Sequence, residues 1–152
     1  MQLTRFTDLG LRTMMLLASG EADEQRVTTR TIAIGANASE NHVAKAVSRL
    51  VDLGMVHARR GRVGGLELTD AGRHASVGWL IRRLEGDKEV IECGGESPCP
   101  LVPACRLRRA LADAKEAFYR ELDRYTVADL VAGPSLPLIP ELHLHTVERT
   151  SP

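Results

Sequence analysis

Aromatic residues are nearly missing from this chain: one tryptophan, two tyrosines and two phenylalanines in 152 residues. The core must therefore be built from Leu, Val, Ile, Ala and Met, and a hydrophobic content of 43% supplies enough of them for a globular chain. No run of about 18 uncharged apolar residues is present, so no segment reads as membrane-spanning. The apolar opening is interrupted by Arg5, Asp8 and Arg12 and has a helical period, which reads as a helix and not as a secretory signal. Cysteine is scarce too. The three present fall within residues 93–105, too few and too clustered for a secreted disulfide framework. These absences predict a cytoplasmic chain with one moderate domain, or a compact head with a tail.

Net charge is also zero, which taken alone argues against a nucleic-acid partner. The charges are unevenly placed, however. Between His42 and Gly65 stand Lys45, Arg49, Arg59, Arg60 and Arg62 against the single acid Asp52, whereas residues 76–152 carry ten basic and twelve acidic side chains. A local basic cluster governs contact with phosphate more than the total does. Such contact is therefore expected in the first half of the chain.

What the sequence does contain is helical periodicity. Leu3, Phe6, Leu9, Leu11, Met14, Leu17 and Ala18 give a first helix over 3–19 one broad apolar face, with Gly20 as its stop. A polar connection leads to Thr28 or Thr29 as the cap of a short helix over 30–36, with Ile32 and Ala33 inward. Ser39 then caps a longer helix whose inward stripe is Val43, Ala46, Val47 and Leu50, and Gly54 ends it, since glycine accepts positive φ at little cost. Residues 55–58 and 66–68 read as two strands around a loop over 59–65. One further helix is predicted from Thr69 or Asp70 to about Leu84, followed by an irregular loop over 85–104. Leu107, Leu111, Ala114, Phe118, Leu122 and Tyr125 then recur at intervals of four, three, four, four and three, which defines a helix of some twenty residues with one strongly apolar face. The prolines at 134, 137, 140 and 152 predict an extended tail.

Two short helices with a tight turn, a glycine stop and a basic hairpin follow the order of a winged helix-turn-helix. A helix enters a major groove only if its outer side chains are polar and its inner side is anchored. Asn41, His42, Lys45 and Arg49 occupy that outer side, with Asn41 and His42 near the end that meets base edges first. The hairpin tip carries Arg59, Arg60 and Arg62 among glycines, suited to following a phosphate strand or entering the minor groove. No acid–base pair or nucleophile set stands at a recognised spacing, so an enzyme is not expected.

Cys93, Cys99 and Cys105 are spaced C-x5-C-x5-C. The spacing matches neither the C-x2-C knuckle of structural zinc sites nor the C-x2-C-x2-C run of ferredoxins. Gly94, Gly95, Pro98, Pro100 and Pro103 make a loop able to wrap a bulky centre, and soft thiolates suit iron–sulfur, zinc or cuprous ions. Three thiolates leave a fourth position to an exogenous molecule or to Asp8, Glu92, Glu96, His74, His143 or His145. A zinc site and a disulfide switch are the rival readings, and a zinc-binding adaptor whose hairpin docks on an acidic protein is the rival function.

The opening LTRFTDLGLRTMMLLA, the helix pair TIAIGANASENHVAKAVSRLVDLGMV, the wing RRGRVGGLEL and the run CGGESPCPLVPAC together resemble the iron–sulfur-binding winged-helix regulators, over residues 3 to about 130. Within that family the likeness is greater to the nitric-oxide-sensing repressors than to the cluster-assembly regulators. The resemblance implies a cytoplasmic homodimer that binds palindromic double-stranded DNA and responds to nitric oxide, or otherwise to redox or cluster status. It implies a cluster, of the 4Fe-4S or else the 2Fe-2S type, on Cys93, Cys99 and Cys105, with Asp8 as the acidic first-helix residue that reaches the cluster of the partner. Leu66 stands where the family wing usually carries an aromatic. The expected fold is mainly α: a winged helix-turn-helix head over 1–85 with a small two-stranded β-wing, a cluster-binding loop over 86–105, a long dimerisation helix over 106–130 and an extended tail over 131–152.

Overall fold

A computed structural model describes residues 2–20, 27–59, 61, 64–86 and 88–133. Arg60, Arg62, His143, His145 and the proline-rich tail from 134 lie outside the described residues.

The first helix, α1 (Arg5–Gly20), has Gly20 as its last residue and is the central post of the head. It buries Leu9, Met14, Leu16, Leu17 and Ala18. Thr13 is equally buried and survives there because its hydroxyl donates to the Leu9 carbonyl at 2.8 Å.

Thr28 caps α2 (Thr29–Gly35) in a reciprocal box, accepting from the Thr31 N–H at 3.1 Å while its own N–H donates to Thr31 Oγ1 at 2.6 Å. Asn37, at φ +48°, makes the turn into α3 (Glu40–Asp52), where asparagine is among the few side chains that tolerate the left-handed region. Ser39 caps α3, and Val43, Ala46, Val47 and Leu50 are its buried residues, the stripe read from periodicity. Gly54 follows at φ +73°.

The wing pairs β1 (Val56–Arg59) antiparallel with β2 (Gly65–Leu68), in the register Val56↔Leu68 to Arg59↔Gly65. Arg59 is thus the last residue of a strand, not part of the loop. The Leu66 N–H also donates to the Val27 carbonyl at 2.8 Å, which fastens β2 to the segment before α2.

The single helix expected after the wing is two: α4 (Asp70–Arg73) and α5 (Val77–Glu85). The helix expected over 106–130 is likewise α6 (Arg106–Leu122) and α7 (Val127–Val131). One device breaks both. Ser76 and Thr126 form an isolated antiparallel bridge, in which the Val77 N–H donates to the Tyr125 carbonyl at 2.9 Å and the Val127 N–H to the Ala75 carbonyl at 3.1 Å. Each donor is the first N–H of a helix, unpaired within its own helix, so the two breaks satisfy one another. Ser76 and Thr126 also serve as N-caps of α5 and α7.

Beside this joint the Ser76 hydroxyl donates to Asp123 Oδ1 at 2.6 Å, and Arg82 bridges Asp123 at 2.8 Å and Glu116 at 2.7 Å. The Ser76 hydroxyl, then Arg82, hold the Asp123 carboxyl below the usual carboxylate range. A carboxyl depressed on folding stabilises above its unfolded pKa, and that contribution is lost as pH falls through the lower folded value. Asp123→Asn is therefore expected to lower the urea midpoint at pH 7, with the deficit against the parent shrinking below about pH 4. Parallel urea titrations at pH 7 and pH 3 check it, and a deficit unchanged between them would refute it.

The main core joins α1, α2, α3, the wing and α5 with Val127 of α7. A smaller one packs Val77 and Ile81 of α5 against Tyr119 of α6. Tyr119 is the buried residue of α6, and the stripe read from the sequence is divided: Leu122 packs against this smaller cluster and Leu111 is half-buried, whereas Leu107 is 61% exposed, Phe118 36% and Tyr125 46%. No helix among the described residues is long and apolar enough to cross a membrane.

Candidate functional site

Two places carry the chemistry, the outer face of α3 with the wing, and the cysteine loop at the start of α6. On α3, Asn41, His42, Lys45 and Arg49 are all exposed, as the inward stripe requires. They are not equivalent. His42 Nδ1 lies 2.7 Å from Ser39 Oγ, so its ring folds back on the cap. Arg49 points to the end of α5, where its Nη2 donates to the Arg83 carbonyl at 3.4 Å, a long bond to a C-terminal turn that favours cations. Of these four, Asn41 and Lys45 have no side-chain partner among the described residues, and the acid Glu40 is exposed in the same first turn. Sequence reading passed over Ser48, one turn beyond Lys45 on the same exposed face, and Arg30, exposed in the first turn of α2. The spacing of Ser48 from Lys45 was the available signal. On the wing, Arg59 pairs across the strands with Glu67 at 3.2 Å; Arg60 and Arg62 lie outside the described residues.

The cysteine loop has more internal order than its prolines and glycines suggest. The Cys99 N–H donates to the Cys93 carbonyl at 3.2 Å, and the Val102 N–H to the Cys99 carbonyl at 3.2 Å, leading into a 3₁₀ turn over Val102–Ala104. Cys105 is the N-cap of α6, its Sγ accepting the Arg108 N–H at 3.4 Å. Cys93 is buried, and burial first and the Glu89 carboxylate second push its thiol pKa up. Glu89, beside that thiol, takes the fork of Arg108, whose Nε donates to Oε1 at 3.1 Å and Oε2 at 2.9 Å and whose Nη2 also reaches Oε1. Neither Glu89 nor Arg108 was visible as a partner of the thiols in the sequence. Residues nineteen apart meet only because the loop folds back along α6.

The three thiols are free, and no group of three or more His, Cys, Asp or Glu among the described residues converges on one point as a metal would require. The donor set nevertheless suits a soft centre: three thiols on one loop, a backbone N–H already aimed at Cys105 Sγ, and the Arg108 cation alongside. Asp8 sits on α1 in an i,i+4 pair with Arg12 at 2.8 Å, and both side chains are about half exposed. Of the other candidate fourth ligands, Glu92 and Glu96 are exposed on the loop, His74 is occupied by Asp70, and His143 and His145 are not described.

The chain matches the Rrf2 family model, described as iron-dependent transcriptional regulator, over residues 3–133. It is 56% identical over 139 residues to the HTH-type transcriptional repressor NsrR of Streptomyces coelicolor, covering 91% of this chain and 94% of that one. It is 39% identical to the HTH-type transcriptional regulator NsrR of Geobacillus kaustophilus, covering 86% and 90%. Among solved structures, CymR, the global cysteine regulator of B. subtilis, is similar at a TM-score of 0.65 and 28% identity, over 86% of this chain and 96% of that one. These are regulators and not enzymes, and the matched span takes in the reading head, the cysteine loop and α6 together. The match spans the winged head, the loop with its three thiols and α6 as one unit, and the chain belongs to the Rrf2 family of iron-dependent transcriptional regulators.

Proposed function

We propose that the chain is a homodimeric repressor of palindromic DNA that holds an iron–sulfur cluster, of the 4Fe-4S type, on Cys93, Cys99 and Cys105 and releases DNA when nitric oxide reacts with it. The observation that carries this reading is the double position of Cys105, which is at once the last thiol of the loop and the N-cap of α6. Any change in what holds Cys105 Sγ acts directly on the start of the helix that bears the apolar stripe. When bound, the cluster supplies irons that react with nitric oxide. Asp8 of the partner subunit would complete the ligand set. To do so it must leave Arg12, its partner within the isolated chain.

Two copies paired along Leu107, Leu111, Phe118 and Leu122 would cover the stripe and set two α3 helices toward successive major-groove faces, about 34 Å apart along the duplex. Asn41, His42 and Lys45 would meet the groove, with Arg49 held nearer α5, and Arg59, Arg60 and Arg62 would track the phosphates. The two NsrR relatives, of which the nearer is named a repressor, support this reading.

The test is affinity for an operator duplex at fixed salt, before and after nitric oxide, with anaerobically loaded protein. At least a tenfold weakening is expected, about 1.4 kcal/mol; equal affinity would overturn the switch. Affinity that followed cluster occupancy but ignored nitric oxide would make the chain a cluster-status regulator instead. The triple change Arg59→Gln, Arg60→Gln, Arg62→Gln should weaken binding across sequences and flatten the salt dependence by about 0.9 log units per lost phosphate contact. An unchanged salt slope would remove the wing from the interface.

A further inference from the structure

We infer that His42 reads guanine in the major groove through an outward Nε2–H, and that Ser39 is the positioning residue that fixes which ring nitrogen carries this donor. The inference rests on the reading of α3 as the DNA-contacting helix and adds to it the base and the atom. Ser39 is the N-cap of α3 and His42 its third residue, the place where a capping box carries Glu or Gln reaching back to the cap N–H. Here an imidazole reaches back to the cap hydroxyl instead. Ser39 Oγ accepts the His42 backbone N–H at 3.3 Å and lies 2.7 Å from His42 Nδ1.

The two contacts on one oxygen select the tautomer. Oγ already accepts the N–H, and among the described residues its own proton has only Nδ1 as an acceptor. A neutral ring that accepts this proton at Nδ1 carries its hydrogen on Nε2. The opposite tautomer would leave the hydroxyl proton with no acceptor but water. A doubly protonated ring donates to Oγ from Nδ1 and still presents Nε2–H outward. In both states that suit the cap the outer nitrogen is therefore a donor, and the residue is exposed. Its place in the first turn of α3 is the part of a recognition helix that meets base edges. The tie to the cap fixes the ring before contact, so little side-chain freedom is lost on binding. On the major-groove edge guanine alone shows two adjacent acceptors, N7 and O6; adenine and cytosine place a donor there, and thymine sets a methyl beside its single acceptor. A fixed outward donor is thus best matched by guanine.

The test uses the full-length chain, anaerobically loaded, and a pool of randomised DNA duplexes. Duplexes selected by the parent are remade with 7-deazaguanine, which replaces N7 by a C–H, at each guanine in turn. At one guanine per half-site the replacement should weaken the parent about tenfold at fixed salt, and His42→Ala not at all. Ser39→Gly keeps an acceptable helix cap and should lose most of that discrimination with its helix content unchanged. Side-chain nitrogen-15 spectra at about pH 8, where a free imidazole is neutral, should show the His42 hydrogen on Nε2; the five histidines are told apart through His42→Ala. A hydrogen on Nδ1, or discrimination that survives in His42→Ala, would overturn the assignment. So would a His42→Ala chain that loses salt dependence and keeps its base preferences, the mark of a phosphate contact. Undiminished discrimination in Ser39→Gly would remove Ser39 as the positioning residue. A parent that selects no duplex would overturn the DNA-reading role itself, whereas a parent that selects one and ignores N7 at every guanine would overturn the guanine contact alone.

Discussion

Serine at Cys93, Cys99 or Cys105, introduced one position at a time, is expected to abolish cofactor retention while leaving the head folded. The thiols belong to neither core cluster, and only Cys93 is buried, at 8% exposure. Their loss therefore removes ligands without opening a cavity under α1 or α3. With the proposed ligand set, losing one of three thiolates would leave the cluster two protein sulfurs, too few to hold it against exchange with water. Iron and sulfide content per chain, with visible absorption, should fall to background in all three variants. Thermal midpoints of the cluster-free proteins should stay close to that of the cluster-free parent. Cys105→Ser is the most informative of the set. Serine is itself a strong N-cap, so α6 keeps its capping group and only the ligand is lost. Full iron content in any one of the variants would remove that cysteine from the site.

The largest stability effect is expected at Gly78, where α5 and α6 cross. A Cβ there would stand 2.2 Å from the Tyr119 carbonyl oxygen and 2.4 Å from Asp123 Oδ1. The first obstacle is helix backbone and cannot rotate away, so α6 must shift from α5 and loosen the Ser76–Asp123–Arg82 set. Helix propensity alone would make Gly78→Ala stabilising by about 1 kcal/mol; the overlap reverses the sign, with a net cost of about 3 kcal/mol. Gly54→Ala is the contrast. Nothing lies within 4 Å of its Cβ, and the penalty comes only from φ +73°, about 1 to 2 kcal/mol. Urea midpoints of the two variants should separate accordingly. A Gly78→Ala protein as stable as the parent would mean that α6 is not seated on α5 in this way.

The order of elements was legible in the sequence because each depends on near neighbours. Thr28 and Ser39 cap helices through residues three positions on. The Val43–Leu50 stripe is a property of one helix, and Gly54 and the hairpin follow from backbone preferences of a few residues. The apolar stripe on α6 was legible for the same reason.

Four things were decided only in three dimensions. The helices over 70–85 and 106–131 each break, because an N–H at one break finds its carbonyl at the other, some fifty residues away. Arg49 is drawn along the outer face of α3 toward the last turn of α5 by a carbonyl that no local pattern announces. Glu89 and Arg108 meet beside Cys93 only once the loop has folded back on α6. Tyr119, outside the apolar stripe, is buried because α5 covers that side of α6 and not the other. Periodicity, caps and spacing settle what each segment of this protein is. The partners of its polar groups were settled by chain segments far apart in sequence, where burial leaves an N–H, a carbonyl or a charge no water to turn to.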